Sequence, residues 1–303
     1  EDEANAKDAI KLVVNNWGEQ GDQEFASIEL FADCHFLITT PKAGKLPKRA
    51  ANATRSANIF KRHGDAPLKT RATDINGSID LENGAYIYGT FTRVKEGVYS
   101  LSNNTMIEIK DKHVSGSTTI IYTNRYGVKI VVDVTVDFDY KPKPVVRQLC
   151  RSWRMDSSEL WFTTEDTYIA YAKQWLKLGR VMQEVTITPE GRAMGFDEDD
   201  VAEDKDDYCL RLVFSPCGTY LCFYKDGEVE VGFWEWKDLQ NGVMRLWEPF
   251  DIDDDDDDDD VDEYMDVTVR FDGKKMRIYH DFIDEENDVM FRAYGVSTFS
   301  ARY

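Results

Sequence analysis

The chain has 303 residues, 42% of them apolar and 13% aromatic, which is ample for a buried core in one large domain or two ordinary ones. Its 57 acidic and 37 basic residues give a net charge of −20, and no apolar run approaches the roughly 20 residues that a membrane-spanning helix needs. These numbers exclude a disordered chain and a helical membrane protein, and the acidity opposes approach to a polyanion such as nucleic acid.

The first residue is Glu1 instead of Met, so the expectation is a trimmed amino terminus, with organellar or secreted processing open. Residues 1–9 are too polar for the apolar core of a signal peptide. Ala9, Leu12, Val13 and Trp17 then recur at i, i+3, i+4 and i+8, which predicts an amphipathic helix stopped by Gly18. Asp22 is a cap for a second, short helix through Phe25, Ile28, Leu30 and Phe31. Cys34 to Thr40 reads as a strand ended by Pro41, and 48–62 as a third helix.

From about residue 71 the period changes to two, over 72–81, 85–94, 105–110, 117–123 and 128–139. The last of these alternates Val128, Ile130, Val132, Val134, Val136 and Phe138 with mostly polar partners, the pattern of a strand with one buried face. Neither proline of Lys141-Pro142-Lys143-Pro144 can donate to a ladder, so a boundary is expected there. It separates a helix-plus-curved-sheet domain over 1–145 from a β-rich domain over 146–303.

The second half opens with a predicted helix over 164–178, capped by Thr163 or Thr164, with a stripe of Tyr168, Tyr171, Trp175 and Leu178 and a stop at Gly179. Strands follow at 181–188, 208–215, 219–225, 228–236, 243–247, 264–271, 275–280 and 289–299. The expected fold class is α+β: mainly antiparallel sheets with a few packing helices.

Charge is concentrated locally. The acidic segments 197–207 and 251–263, the latter with an unbroken run from Asp253 to Asp260, carry nearly all of the excess and are expected to be solvated loops. Residues 42–71 form a basic counterpart. The five cysteines contain no C-x-x-C pair and fit neither a disulfide framework nor a zinc site, so they are expected as buried thiols. Cys209 and Cys222 can still pair if 208–214 and 220–225 form a hairpin. Sequons at Asn52, Asn76 and Asn103 permit a secreted history.

Two stretches resemble known families. The helical opening with Glu29-Leu30-Phe31-Ala32-Asp33, the strand from Cys34 to Pro41, a helix and then curved strands resemble the nuclear-transport-factor-like or SnoaL-like cone fold over residues 4–140. That resemblance implies a bent sheet around a helix enclosing an apolar pocket, used in the superfamily for catalysis or for binding. Within it Asp33 and His35, with Tyr86 or Tyr88, are candidates for base and polarising donor. The stretch Leu212 to Leu221, with Asp226-Gly227 and Trp234, is similar to one blade of a WD-repeat propeller. No other blade follows, so the reading is a hairpin with Ser-Pro-x-Gly and Asp-Gly turns.

No G-x-S-x-G, H-E-x-x-H, Walker or G-x-G-x-x-G motif occurs, which argues mildly against an enzyme. The Asp run offers hard oxygen ligands in Asp253, Asp255, Asp257, Asp259 and Asp262 for loosely held calcium, without the ordered spacing of a calcium loop. Lys48, Arg49, Arg55, Lys61 and Arg62 are candidates for contact with a protein partner. The expectation is a binding or structural protein, acting by protein contacts or self-association in a larger assembly through charged loops and apolar sheet faces. The alternatives are a SnoaL-like enzyme or carrier for a small apolar ligand, and an acidic, low-affinity calcium binder.

Overall fold

The computed structural model describes residues 9–19, 21–31, 33–41, 51–52, 77–81, 84–110, 116–137, 148–164, 167–202, 204–247, 263–286 and 289–301. Among the described residues of the first half there are ten strands: β1 (Ile10–Asn16), β2 (Ser27–Leu30), β3 (His35–Thr39), β4 (Ala51–Asn52), β5 (Gly77–Leu81), β6 (Gly84–Lys95), β7 (Val98–Leu101), β8 (Met106–Ile109), β9 (Gly116–Thr123) and β10 (Lys129–Asp137). Antiparallel pairing runs β3-β2-β1-β10-β9-β8-β7-β6, and β6 pairs back onto β3, so eight strands close into a barrel. Closure leaves no open edge between these eight strands. β5 lies outside the ring on the first part of β6.

Each of the eight strands sends alternate residues into one interior cluster that includes Leu12, Ile28, Phe36, Phe91, Leu101, Ile107, Ile120 and Val134. Side chains therefore fill this barrel, and each fully buried Leu, Ile, Val or Phe contributes roughly 1.5–3 kcal/mol. Trp17 meets Phe25 edge-on at 4.9 Å, and Phe25 meets Tyr122 at 5.0 Å, within the same cluster.

The second barrel uses β11 (Ser152–Thr164), β14 (Cys209–Phe214), β15 (Thr219–Tyr224), β16 (Val229–Asp238), β17 (Val243–Trp247), β18 (Glu263–Asp272), β19 (Lys275–Glu286) and β20 (Val289–Ala301). They pair in that order, and β20 returns to β11. Trp153, Phe214, Tyr220, Cys222, Trp234, Met244, Val267, Ile278 and Phe299 fill its interior, from every strand of the ring. The Tyr220 ring lies across Gly232, where a Cβ would come within 2.0 Å of it. Gly232 is thus required by space, not by backbone conformation.

β12 (Thr167–Lys177) and β13 (Arg180–Ile187) extend the sheet outward from β11. The inner face of this extension is covered by two short helices, α1 (Pro189–Ala193) and α2 (Glu198–Val201). Thr188 caps α1, and Asp197 with Asp200 forms a capping box on α2. Phe196, Val201 and Ala202 pack onto Leu160, Phe162, Ile169, Ala170, Phe291 and Ala293.

The described residues are nearly all strand, which corrects the α+β expectation to an all-β fold of two barrels. The cone-fold resemblance falls with it, because β1 and β2 stand where its first two helices were expected. In 9–17 the residues Ile10, Leu12 and Val14 alternate inward while Val13 is exposed, so period two competes with the helical spacing. The β-branched pair Val13-Val14 then favours the strand. The predicted helix 164–178 is β12. Its Ala170, Ala172, Gln174 and Leu176 face inward, and Leu178-Gly179, both with positive φ, form the hairpin turn read as a helix stop.

The expected helix at 48–62 and the Pro142–Pro144 break lie outside the described residues except for Ala51–Asn52, which form β4 against β18. The expected loop at 197–207 keeps Asp197, Glu198, Asp199, Asp200, Asp204 and Asp206 exposed, yet α2 and the apolar residues Phe196, Val201 and Ala202 anchor it. The WD-like stretch is the β14–β15 hairpin of the second barrel.

Candidate functional site

Outward residues of the first barrel meet outward residues of the second along a seam. Leu37, Tyr86 and Tyr88 pack against Val213, Leu221, Val229 and Val231. Glu29, only 3% exposed, accepts hydrogen bonds from the hydroxyls of Ser215 and Thr219, the latter at 2.6 Å. A buried carboxylate needs such partners, because an unpaired one would lose its hydration uncompensated.

A one-residue irregularity between Cys209 and Arg211 shifts the alternation of β14. Cys209, Leu212 and Phe214 consequently face the barrel interior, while Arg211 and Val213 face the first barrel. The Arg211 guanidinium lies 4.1 Å above the Phe223 ring and 3.3 Å from His35 Nε2. His35 Nδ1 is 2.8 Å from Asp33 Oδ2. Arginine has no acceptor, so Nε2 must accept from Arg211 and Nδ1 must carry the proton donated to Asp33.

All four residues predicted from the cone-fold resemblance thus lie in or beside this seam. Asp33 and His35 touch each other, and the Tyr88 ring is 6.4 Å from Phe223. Tyr86 is buried, which pushes its hydroxyl up to about 12. Packing between the barrels takes the place of the expected N-terminal pocket, because the first barrel's interior is occupied by its own side chains.

The outer face of the β13-β12-β11-β20-β19 sheet is different. Register places Thr186, Tyr171, Trp161, Tyr294 and Asp281 in one row across five strands. The next row is Glu184, Lys173, Glu159, Val296 and Tyr279, and the third begins Met182, Trp175 and Ser157. Trp161 lies between Tyr171 at 5.4 Å and Tyr294 at 5.8 Å, and Tyr294 is 6.4 Å from Tyr279. Tyr294 is 41% exposed and Met182 39%.

Glu159 organises the middle of this face. It accepts from Tyr171 Oη at 3.1 Å and from Lys173 Nζ at 3.1 Å. Partial burial and then the Glu159 bond push the Tyr171 hydroxyl up to about 12. Sequence reasoning missed the face because it assigned Tyr171 and Trp175 to a helical stripe and placed no strand over 152–164. Alternation in Tyr171-Ala172-Lys173-Gln174-Trp175 was the available signal.

A notch of about 250 Å³ at the β12–β13 turn is lined by Arg154, Met155, Asp156, Leu176, Leu178 and Gly179. In its wall Asp156 binds Arg154, and it also binds Lys275. The partner candidates Lys48, Arg49, Arg55, Lys61 and Arg62, and the calcium candidates Asp253, Asp255, Asp257, Asp259 and Asp262, lie outside the described residues. Among the described residues there is no group of His, Cys, Asp or Glu able to hold a metal ion, and no helix long and apolar enough to cross a membrane.

No family model matches the chain, and no curated protein matches it. Among solved structures it is similar to a protein of unknown function of the DUF3598 family from Nostoc punctiforme, at 10% identity over 97% of this chain and 94% of that one. The TM-score is 0.13, too low to carry an argument about fold or function.

Proposed function

We propose that this chain is a binding protein of a larger assembly, with the outer β13-β12-β11-β20-β19 face as its contact surface and a second copy of the chain as the first occupant. One observation carries the reading: Tyr171, Trp161, Tyr294, Tyr279 and Trp175 share an outward face that no described segment covers. Aromatic clusters of this kind supply contact area at low entropic cost. Charge favours a copy of the same face, because the row Glu184, Lys173, Glu159 alternates in sign. A twofold axis that crosses the row between Lys173 and either glutamate sets Lys173 of one copy against a glutamate of the other.

Light scattering over a concentration series, for the wild type and for Trp161→Ser/Tyr294→Ser, tests this. A dimer at low and high salt that the double variant loses supports the aromatic face. A wild-type monomer at every concentration overturns self-association, and a dimer that survives in the variant places the contact elsewhere. A dimer confined to low salt points instead to the basic and acidic segments as the contact.

A further inference from the structure

Cys209 starts β14 and Cys222 lies in β15, and the hairpin joining them brings the two Sγ atoms to 3.0 Å. Both face the interior of the second barrel, 1% and 0% exposed. Register sets Cys209 opposite Tyr224 and Leu212 opposite Cys222, so the cysteines are diagonal neighbours on one face of the hairpin. A disulfide needs the sulfurs at about 2.05 Å, roughly 1 Å closer than they stand. Cys150 shares the interior cluster with the pair, and the neighbouring cysteine that acts on it is Cys217. Cys34 is exposed, Cys150 is buried, and the Cys217 backbone N–H is tied to Ser215 Oγ at 2.9 Å beside the seam.

We propose that Cys209 and Cys222 are a disulfide-forming pair, joined as the β14–β15 hairpin folds in the presence of a low-molecular-weight disulfide and enclosed when the barrel shuts. The thiolate of one cysteine attacks the small disulfide and expels one thiolate of that reagent, leaving a mixed disulfide. The thiolate of the other cysteine attacks the protein sulfur and expels the second. The two protein thiols give up two protons and two electrons, and the small disulfide is reduced to two thiols. Burial, and then contact with Cys209, hold the Cys222 thiol well above its usual range. Thiolate is therefore scarce in the closed barrel, so the exchange belongs to the open hairpin and the product is shielded from reductant.

The test refolds the full chain from denaturant with reduced and oxidised glutathione, alkylates it under denaturing conditions without reductant, and maps the peptides. The expected result is three alkylated cysteines of the five and one peptide pair linked through Cys209 and Cys222. Alkylation of all five, or linkage that involves Cys34, Cys150 or Cys217, overturns the proposal. The oxidised protein should melt about 5–10 °C above the reduced one, as expected for closing a loop of this size. Cys217→Ser should keep that difference and Cys222→Ser should abolish it. Equal melting of the linked and reduced forms would overturn the structural role.

Discussion

Glu29 of the first barrel is buried against Ser215 of the second and accepts the hydrogen bond of its hydroxyl. Thr219 donates to the other carboxylate oxygen at 2.6 Å, so the two barrels share one satisfied polar centre within an apolar seam. Residues so tied do not reorganise cheaply, and the seam should behave as part of the core.

Replacing Glu29 by Leu should therefore destabilise the protein by about 2–3 kcal/mol, because two buried hydroxyls lose a charged acceptor. Glu29→Gln should cost less, since its amide oxygen can still accept from one of them. Urea denaturation of the two variants against wild type checks the ordering, and equal stability of Glu29→Leu would mean that the seam adds nothing to the stability of the fold.

His35 is expected to carry a proton at Nδ1 and none at Nε2, because its Nε2 accepts from Arg211 while Nδ1 donates to Asp33. Two-bond proton–nitrogen correlation spectra read the tautomer directly. The opposite tautomer would show that the Asp33, His35 and Arg211 chain is not formed in solution.

Asp156 contributes one pH-dependent part of the stability. Partial burial alone would raise its carboxyl, but hydrogen bonds from Lys275, Ser300 and Arg154 outweigh it and hold the group below its usual value. A depressed folded-state value means that this contribution is present above the unfolded pKa, near 3.9, and disappears as pH falls through the lower folded value. Asp156→Asn should accordingly lower stability at pH 7 and shrink the difference from wild type under acid conditions. Melting curves from pH 7 down to pH 3 decide it, and a constant difference across that range would contradict the assignment.

Gly232→Ala should cost about 1–3 kcal/mol through overpacking, since the new methyl group would meet the Tyr220 ring inside the second barrel. Denaturant midpoints measure it. No loss would mean that the ring moves aside freely.

Much of the strand pattern was legible, because the alternation in 128–139, 219–225 and 264–271 matches β10, β15 and β18 closely. The failures share one cause. In 9–17 and 164–178 apolar residues fall on both a helical stripe and a period-two face, and only pairing with neighbouring strands selects the second. Barrel closure was hidden for a different reason, since β3 meets β6 across a long gap in sequence. Asp33 and His35 were singled out as candidate base and donor through the cone-fold resemblance, not as a contact between the barrels, and Arg211 lies far along the chain and reaches them only through the β14 irregularity.

The most direct test of the outer face as a contact surface is sedimentation velocity of the wild type beside Lys173→Glu. That substitution leaves every ring of the face in place but removes the positive charge between Glu184 and Glu159, so the charged part of the row becomes acidic throughout and repels its own copy. The account predicts a wild-type dimer and a folded monomeric variant. A variant that dimerises as tightly as wild type would contradict it.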